Sequence, residues 1–217
     1  MNDFKSQLRV TEIFYSLQGE STKIGLPTVF IRLTGCPLRC HYCDTTYAFK
    51  GGTILSINDI LHEIKQYTCE HICVTGGEPL AQLGVCNLLQ SLCDLGYQVS
   101  LETSGAISIA KIDPRVMVIM DLKTPDSGEA DKNLLENIKY LKPSDQIKFV
   151  LGSKADYHWA AEMLKNLKLN EKAQILFSPS WDKLDNKDLA EWILQDRLPV
   201  RMQLQMHKIL WDDVRGR

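Results

Sequence analysis

The sequence predicts an α/β protein, a partial, modified (β/α) barrel of the TIM type, on three observations. Short apolar runs rich in Val, Ile and Phe alternate with helix-patterned segments of about 10 to 14 residues, the signature of repeated βα units. Units of that kind pair into a mostly parallel sheet covered by helices, with ligand sites at the carboxyl ends of the strands. A complete eightfold barrel takes about 250 residues. This chain has 217 and commits 34–53 to a long loop, so the barrel is expected to be trimmed and partly open. No internal repeat, low-complexity tract or linker interrupts the pattern, and residues 1–217 read as a single domain.

In order along the chain, strands are expected at 8–14, 28–33, 71–75, 97–102, 116–121, 146–150, 173–177 and 201–206, each a strand-length run of apolar or β-branched residues. Ser56 followed by Asp59 three residues later forms a capping box that opens a helix to about residue 67. A second helix begins after Pro79 and ends at Gly96, where a left-handed residue stops it. Helical periodicity places three more at 131–140, 155–167 and 187–195.

Composition narrows the function. Apolar residues make up 44% of the chain and charged residues 24%, the balance of an ordinary globular protein. The 25 basic and 27 acidic residues give a net charge of −2 with no run of one sign, which argues against nucleic acid or an anionic membrane as a partner. No apolar stretch approaches the roughly 20 residues of a membrane span. The amino terminus is polar from the start and reads as no signal peptide, so a cytoplasmic location is expected.

The seven cysteines are unevenly spread. Cys69, Cys73, Cys86 and Cys93 fall in strand- and helix-like segments and read as small buried apolar residues. Cys36, Cys40 and Cys43 form a C-x3-C-x2-C array in the loop directly after a strand. Three thiolates on one loop can hold three irons of a 4Fe–4S cluster and leave the fourth iron open. The alternative is a structural zinc site with His41 as fourth ligand, although zinc ligands usually come as two separated pairs. Downstream, Gly76-Gly77-Glu78-Pro79 ends a strand, its glycines letting the backbone approach a ligand and Glu78 reading as a brace of the loop. Thr103-Ser104-Gly105, Asp121-Leu122-Lys123 and Ser178-Pro179-Ser180 end later strands on the same rim.

The cysteine array, the aromatic Tyr42 before its last cysteine and the Gly-Gly-Glu-Pro segment together resemble the radical S-adenosylmethionine superfamily. Within it, Glu12-Ile13-Phe14-Tyr15-Ser16-Leu17-Gln18-Gly19-Glu20, 30–36, 43–45, 102–105, 121–125 and 205–208 resemble the 7-carboxy-7-deazaguanine synthase family of queuosine biosynthesis, nearly end to end. The resemblance implies a dimeric enzyme that turns 6-carboxy-5,6,7,8-tetrahydropterin into 7-carboxy-7-deazaguanine with loss of ammonia, a ring contraction begun by hydrogen abstraction at C6. It implies a 4Fe–4S cluster on Cys36, Cys40 and Cys43, Mg2+ on Thr45, and flavodoxin or ferredoxin as electron donor. S-adenosylmethionine would meet Tyr42, Cys43, Asp44, Gly76, Gly77, Glu78, Gly105, Asp121, Leu122, Lys123, Ser178, Pro179, Ser180 and Trp181. The pterin would meet Leu17, Gln18, Gly19, Glu20, Arg32, Thr103 and His207. Position 21 departs from that family's usual glycine, and Ser21 adopts positive φ less freely. Two rivals remain at this point: a glycyl-radical-enzyme activator of the same superfamily, and a non-catalytic zinc or iron–sulfur module.

Overall fold

The computed structural model describes residues 6–212 and 214–217; most of the polar amino-terminal stretch on which the absence of a signal peptide rests lies outside them. The described residues form one nine-stranded sheet in the order β3-β1-β2-β4-β5-β6-β7-β8-β9. β1 (Gln7–Leu17) runs antiparallel to both β2 (Pro27–Leu33) and the short edge strand β3 (Thr53–Ser56). From β2 onward every neighbour is parallel: β4 (His71–Gly76), β5 (Gln98–Thr103), β6 (Met117–Asp121), β7 (Gln146–Leu151), β8 (Gln174–Pro179) and β9 (Arg201–Met202). The sheet curls without closing, a partial barrel with β3 and β9 at its free edges. None of the described helices is long and apolar enough to cross a membrane.

Helices cover the outer face. In α1 (Ile57–Ile64) the capping box forms as expected, with Ser56 Oγ accepting from Asp59 N at 3.1 Å and Asp59 Oδ2 accepting from Ser56 N at 3.2 Å. α2 (Val85–Asp94) starts later than Pro79, after a short 3-10 turn, and ends before Gly96 at φ +87°. α3 (Lys154–Asn166) and α4 (Asn186–Asp196) lie where periodicity put them. Two apolar cores result. One joins β1, β2, β4 and β5 to α1 and α2 through residues such as Ile31, Val74, Leu88 and Leu101. The other joins β6, β7 and β8 to α3 and α4 through Met120, Phe149, Tyr157 and Phe177.

Two expected elements differ, and one departure is accommodated. The helix expected at 131–140 is two 3-10 turns, Ala130–Lys132 and Leu135–Tyr140. Buried Asn137 spends its amide on the carbonyls of Gly105 (3.1 Å) and Ile107 (2.9 Å) and accepts from Ile109 N, and Asn133 bonds both backbone groups of Lys123. These side-chain bonds to other segments set the backbone path in place of an α-helix. The strand expected at 201–206 stops at Met202, and α5 (Met206–Trp211) follows. Ser21 does adopt positive φ, +69°: its N–H donates to Gln203 Oε1 at 2.9 Å and its hydroxyl accepts from Lys23 N at 3.0 Å, bonds that hold a turn usually left to glycine.

Candidate active site

The strands alternate by two residues, so each sends one set of side chains to the helices and the other into the barrel. Ile31, Val74, Val118 and Ile147 face outward into the cores, while Arg32, Thr75, Glu102, Asp121 and Lys148 reach a cavity of about 670 Å³ at the carboxyl ends of the strands. The long loop after β2 roofs this cavity and carries Cys36, Cys40 and Cys43, all free thiols, all partly exposed and all lining it.

The Gly-Gly-Glu-Pro segment fixes that loop from below. Gly77 N–H donates to Leu33 O at 3.0 Å and Glu78 N–H to Gly35 O at 2.7 Å. A Cβ on Gly77 would lie 2.2 Å from Gly35 O and 2.9 Å from Cys36 Cβ, so only glycine lets the cysteine loop sit this close. Glu78 is fully buried, and its carboxylate accepts from Ser104 N (2.6 Å), Ser104 Oγ (2.5 Å), Thr103 Oγ1 (2.9 Å) and Leu80 N (2.9 Å). Glu78 thus braces three strand ends, as the sequence suggested, and is not on the cavity wall where the resemblance placed it among the cofactor contacts.

The sequence-selected residues divide accordingly. Leu17, Gln18, Gly19, Glu20, Arg32, Tyr42, Asp44, Thr45, Gly76, Gly77, Thr103, Asp121, Lys123, Ser180, Trp181 and His207 all line the cavity with the three cysteines. Gly105, Leu122, Ser178 and Pro179 do not. Leu122 is buried in the core of β6–β8, Ser178 is buried within β8, and Gly105, at φ +73°, turns its carbonyl to Leu134 and Asn137. Backbone needs at strand ends select the same small residues as ligand contacts do, which is why sequence motifs run the two together.

Charge is concentrated inside. Arg32 Nε donates to Glu12 Oε1 at 2.7 Å, and its guanidinium lies 5.4 Å from the Phe14 ring and 5.9 Å from that of Tyr47. Burial works against its charge, but Tyr47 and Glu12 more than offset this and raise its pKa. Lys123 pairs with Asp121 at 2.9 Å and Lys148 with Glu20 at 2.7 Å, both cations held in spite of burial by those carboxylates. Asp121 Oδ1 is buried with no hydrogen-bond partner, an acceptor that the fold leaves for a ligand. Thr45 Oγ1 donates to Asp44 Oδ1 at 2.8 Å, which leaves its lone pairs available. From α5, His207 packs against Gly19, where a Cβ would lie 2.1 Å from its Nδ1, and Lys208 reaches Asp44 at 3.5 Å.

Sequence reading missed Lys148 and Tyr47, and it quoted Glu12 and Glu102 within motif segments without giving either a role. The available signal was a charged residue at mid-strand between apolar ones, as in Gln146-Ile147-Lys148-Phe149-Val150.

The donor set suits a cluster better than one ion. Among the described residues no three His, Cys, Asp or Glu side chains converge on a single-metal position. His41, the fourth ligand of the zinc alternative, packs its ring on Gly128 and places Nδ1 3.1 Å from Asp126 O. Three separated thiols on one roof loop, facing a cavity with an orphan acceptor, fit a multi-iron centre with a second ligand beside it.

Comparison with known proteins agrees. Residues 30–170 match the model of the Radical SAM superfamily. A 7-carboxy-7-deazaguanine synthase from Chlorobaculum tepidum is 44% identical over 216 residues, covering 98% of each chain. The chain belongs to the 7-carboxy-7-deazaguanine synthase family. A synthase of this family from Koribacter versatilis is 40% identical, covering 94% of this chain and 97% of its own. The crystal structure of QueE from Escherichia coli superposes with a TM-score of 0.75 at 25% identity, covering 93% of this chain and 95% of that one. The radical SAM family implies a 4Fe–4S cluster and S-adenosylmethionine.

Proposed function

We propose that this chain converts 6-carboxy-5,6,7,8-tetrahydropterin to 7-carboxy-7-deazaguanine with release of ammonia. The observation that carries the reading is that the cysteine loop, the 17–20 turn, Arg32 and His207 open on one cavity. When bound, the reduced cluster and S-adenosylmethionine supply the 5′-deoxyadenosyl radical that abstracts hydrogen from C6 of the pterin.

The chain's own residues bind, orient and shield. Cys36, Cys40 and Cys43 would hold the cluster, and with three cysteines on the loop one iron would stay open for the cofactor. Asp121 Oδ1 awaits a donor from the cofactor. Arg32 takes the pterin carboxylate, because a planar guanidinium meets a carboxylate with two parallel hydrogen bonds and, among the described residues, only its Nε serves a protein carboxylate. Leu17, Gln18, Gly19, Thr103 and His207 complete the pterin pocket, and the stacked rings of Phe14 and Phe30, 4.9 Å apart, give that side of the cavity an apolar wall. Mg2+ prefers hard oxygen ligands and few protein groups; Thr45 Oγ1, oriented by its bond to Asp44, suits it together with substrate oxygens and water. A single catalytic core over 1–217, working in the cytoplasm as a homodimer with flavodoxin or ferredoxin as electron donor, completes the reading.

Anaerobic turnover of the reconstituted protein with S-adenosylmethionine, Mg2+, dithionite and 6-carboxytetrahydropterin, read by mass spectrometry, tests it. 7-Carboxy-7-deazaguanine is the expected product. 5′-Deoxyadenosine without that product would keep the radical chemistry and overturn the substrate.

A further inference from the structure

Lys148 lies in the middle of β7, its side chain largely buried inside the barrel, 13% exposed, at the cavity wall. Nothing in the family motifs selects it. Its Nζ is 2.7 Å from Glu20 Oε2 and 3.8 Å from Asp121 Oδ2, and Asp121 is already paired with Lys123 at 2.9 Å. Glu20 lies far away in sequence, on the turn between β1 and β2 that forms part of the cavity wall. Its Oε2 also accepts from Gln203 Nε2 at 3.4 Å, and its Oε1 accepts from Gln205 Nε2 at 2.9 Å. A carboxylate offers about four acceptor positions. Three are filled by protein, two on Oε2 and one on Oε1, so the open one is on Oε1.

We propose that Lys148 is a positioning residue for the synthase reaction, which holds Glu20 as a fixed, charged acceptor for the N–H edge of the bound pterin. This rests on the substrate reading above. The pyrimidine edge of a pterin presents an N–H and an exocyclic amino group side by side, donors that a charged carboxylate oxygen accepts more strongly than a neutral amide does. A carboxylate buried this deeply needs a cation to stay ionised. Burial pushes Glu20 toward protonation, and Lys148, with help from His207 and Gln205, outweighs it and keeps its pKa below the ordinary value. The titratable and charged groups around the pair are His207 from α5, Asp121 and Glu102 from β6 and β5, and Asp44 from the cysteine loop. Among these, Lys148 is the cation in direct contact with Glu20.

The test compares the reconstituted wild type with Lys148→Met, Lys148→Arg and the double variant Glu20→Gln/Lys148→Met. For Lys148→Met the inference expects KM for 6-carboxytetrahydropterin to rise tenfold or more, and an acid limb to enter the pH profile of kcat/KM because Glu20 now protonates at a higher pH. Lys148→Arg should recover part of the lost affinity. The double variant has no stranded charge and no carboxyl to titrate at position 20; it should fold like wild type, lose the acid limb and keep the raised KM. If Lys148→Met stays within twofold of wild type, or if the double variant regains wild-type KM, the inference fails and Lys148 is only a neutralising partner. Failure of the wild type itself to turn over the pterin would instead overturn the substrate reading.

Discussion

Glu78 is a motif residue whose part is structural, a brace as the sequence suggested, even where the family resemblance also counts it as a ligand contact. Its carboxylate collects four donors from the ends of β4 and β5 and their loops, and its N–H holds the base of the cysteine loop. Glu78→Ala would orphan several buried donors at once. Each such loss costs about 1–3 kcal/mol, and a total of about 3 kcal/mol would lower Tm by roughly 6–12 °C in a chain of this size. Calorimetry of the cluster-free protein should show that drop, and a Tm within 2 °C of wild type would mean the brace is not structural. The residues that sequence made legible share one property: their spacing is local, as in Cys36, Cys40 and Cys43, or Gly76 and Gly77. Lys148 and Glu20 were harder because their relation spans 128 positions and depends on which strand face is wet. Strand patterning counts apolar residues, and a single lysine inside the barrel carries no period of its own.

At the scale of elements, the outer helices were legible because their apolar stripes and caps are written within each segment, as Ser56 and Asp59 are. The two segments that differ are those whose polar side chains bond distant parts of the chain: 130–140 through Asn133 and Asn137 to backbone, and 201–211 through Gln203 to the Ser21 N–H and Gln205 to the Glu20 and Asp44 carboxylates. The latter places α5 as a strap over the cavity, with Met206 N–H on Gly19 O at 3.0 Å, Gln205 on Glu20 and Asp44, and Lys208 on Asp44 and 5.7 Å from the Trp181 ring. Burial would raise the Asp44 pKa, but Lys208 and the hydrogen bonds from Thr45 and Gln205 outweigh it and bring it to about 2. A carboxyl depressed on folding adds stability above its unfolded value, and that stability is lost only as pH falls through the folded one. The strap should therefore stay docked from pH 8 to 4 and loosen toward pH 2. Tryptophan fluorescence, with Trp181→Phe to isolate the signal, should be flat over the upper range. Asp44→Asn should release the strap at pH 7; an unchanged spectrum in that variant would show that Asp44 does not hold it.

The molecule as a whole places its catalytic cavity across two cores. Arg32, Thr75 and Glu102 come from strands packed on the first, and Asp121, Lys148 and Val150 from strands packed on the second, while Leu80 and Ile112 touch both. A ligand that contacts both walls must stabilise the halves together, since anything that binds the folded state alone adds about 2.7 kcal/mol at a hundredfold excess over Kd. In a chain of 217 residues that corresponds to a Tm rise of about 5–11 °C. The halves also carry different reporters: Trp159 and Trp192 pack on the second core, whereas the first core has no tryptophan among its described members. With Trp181 on the cavity and Trp211 on α5 both replaced by phenylalanine, tryptophan fluorescence follows the second half, and far-ultraviolet dichroism follows both. With cluster, S-adenosylmethionine and pterin bound, the two melting curves should rise by that amount and coincide, as a single cooperative unit requires. If fluorescence alone shifted, the ligands would be held by the second half only, and the shared cavity would not be where they bind.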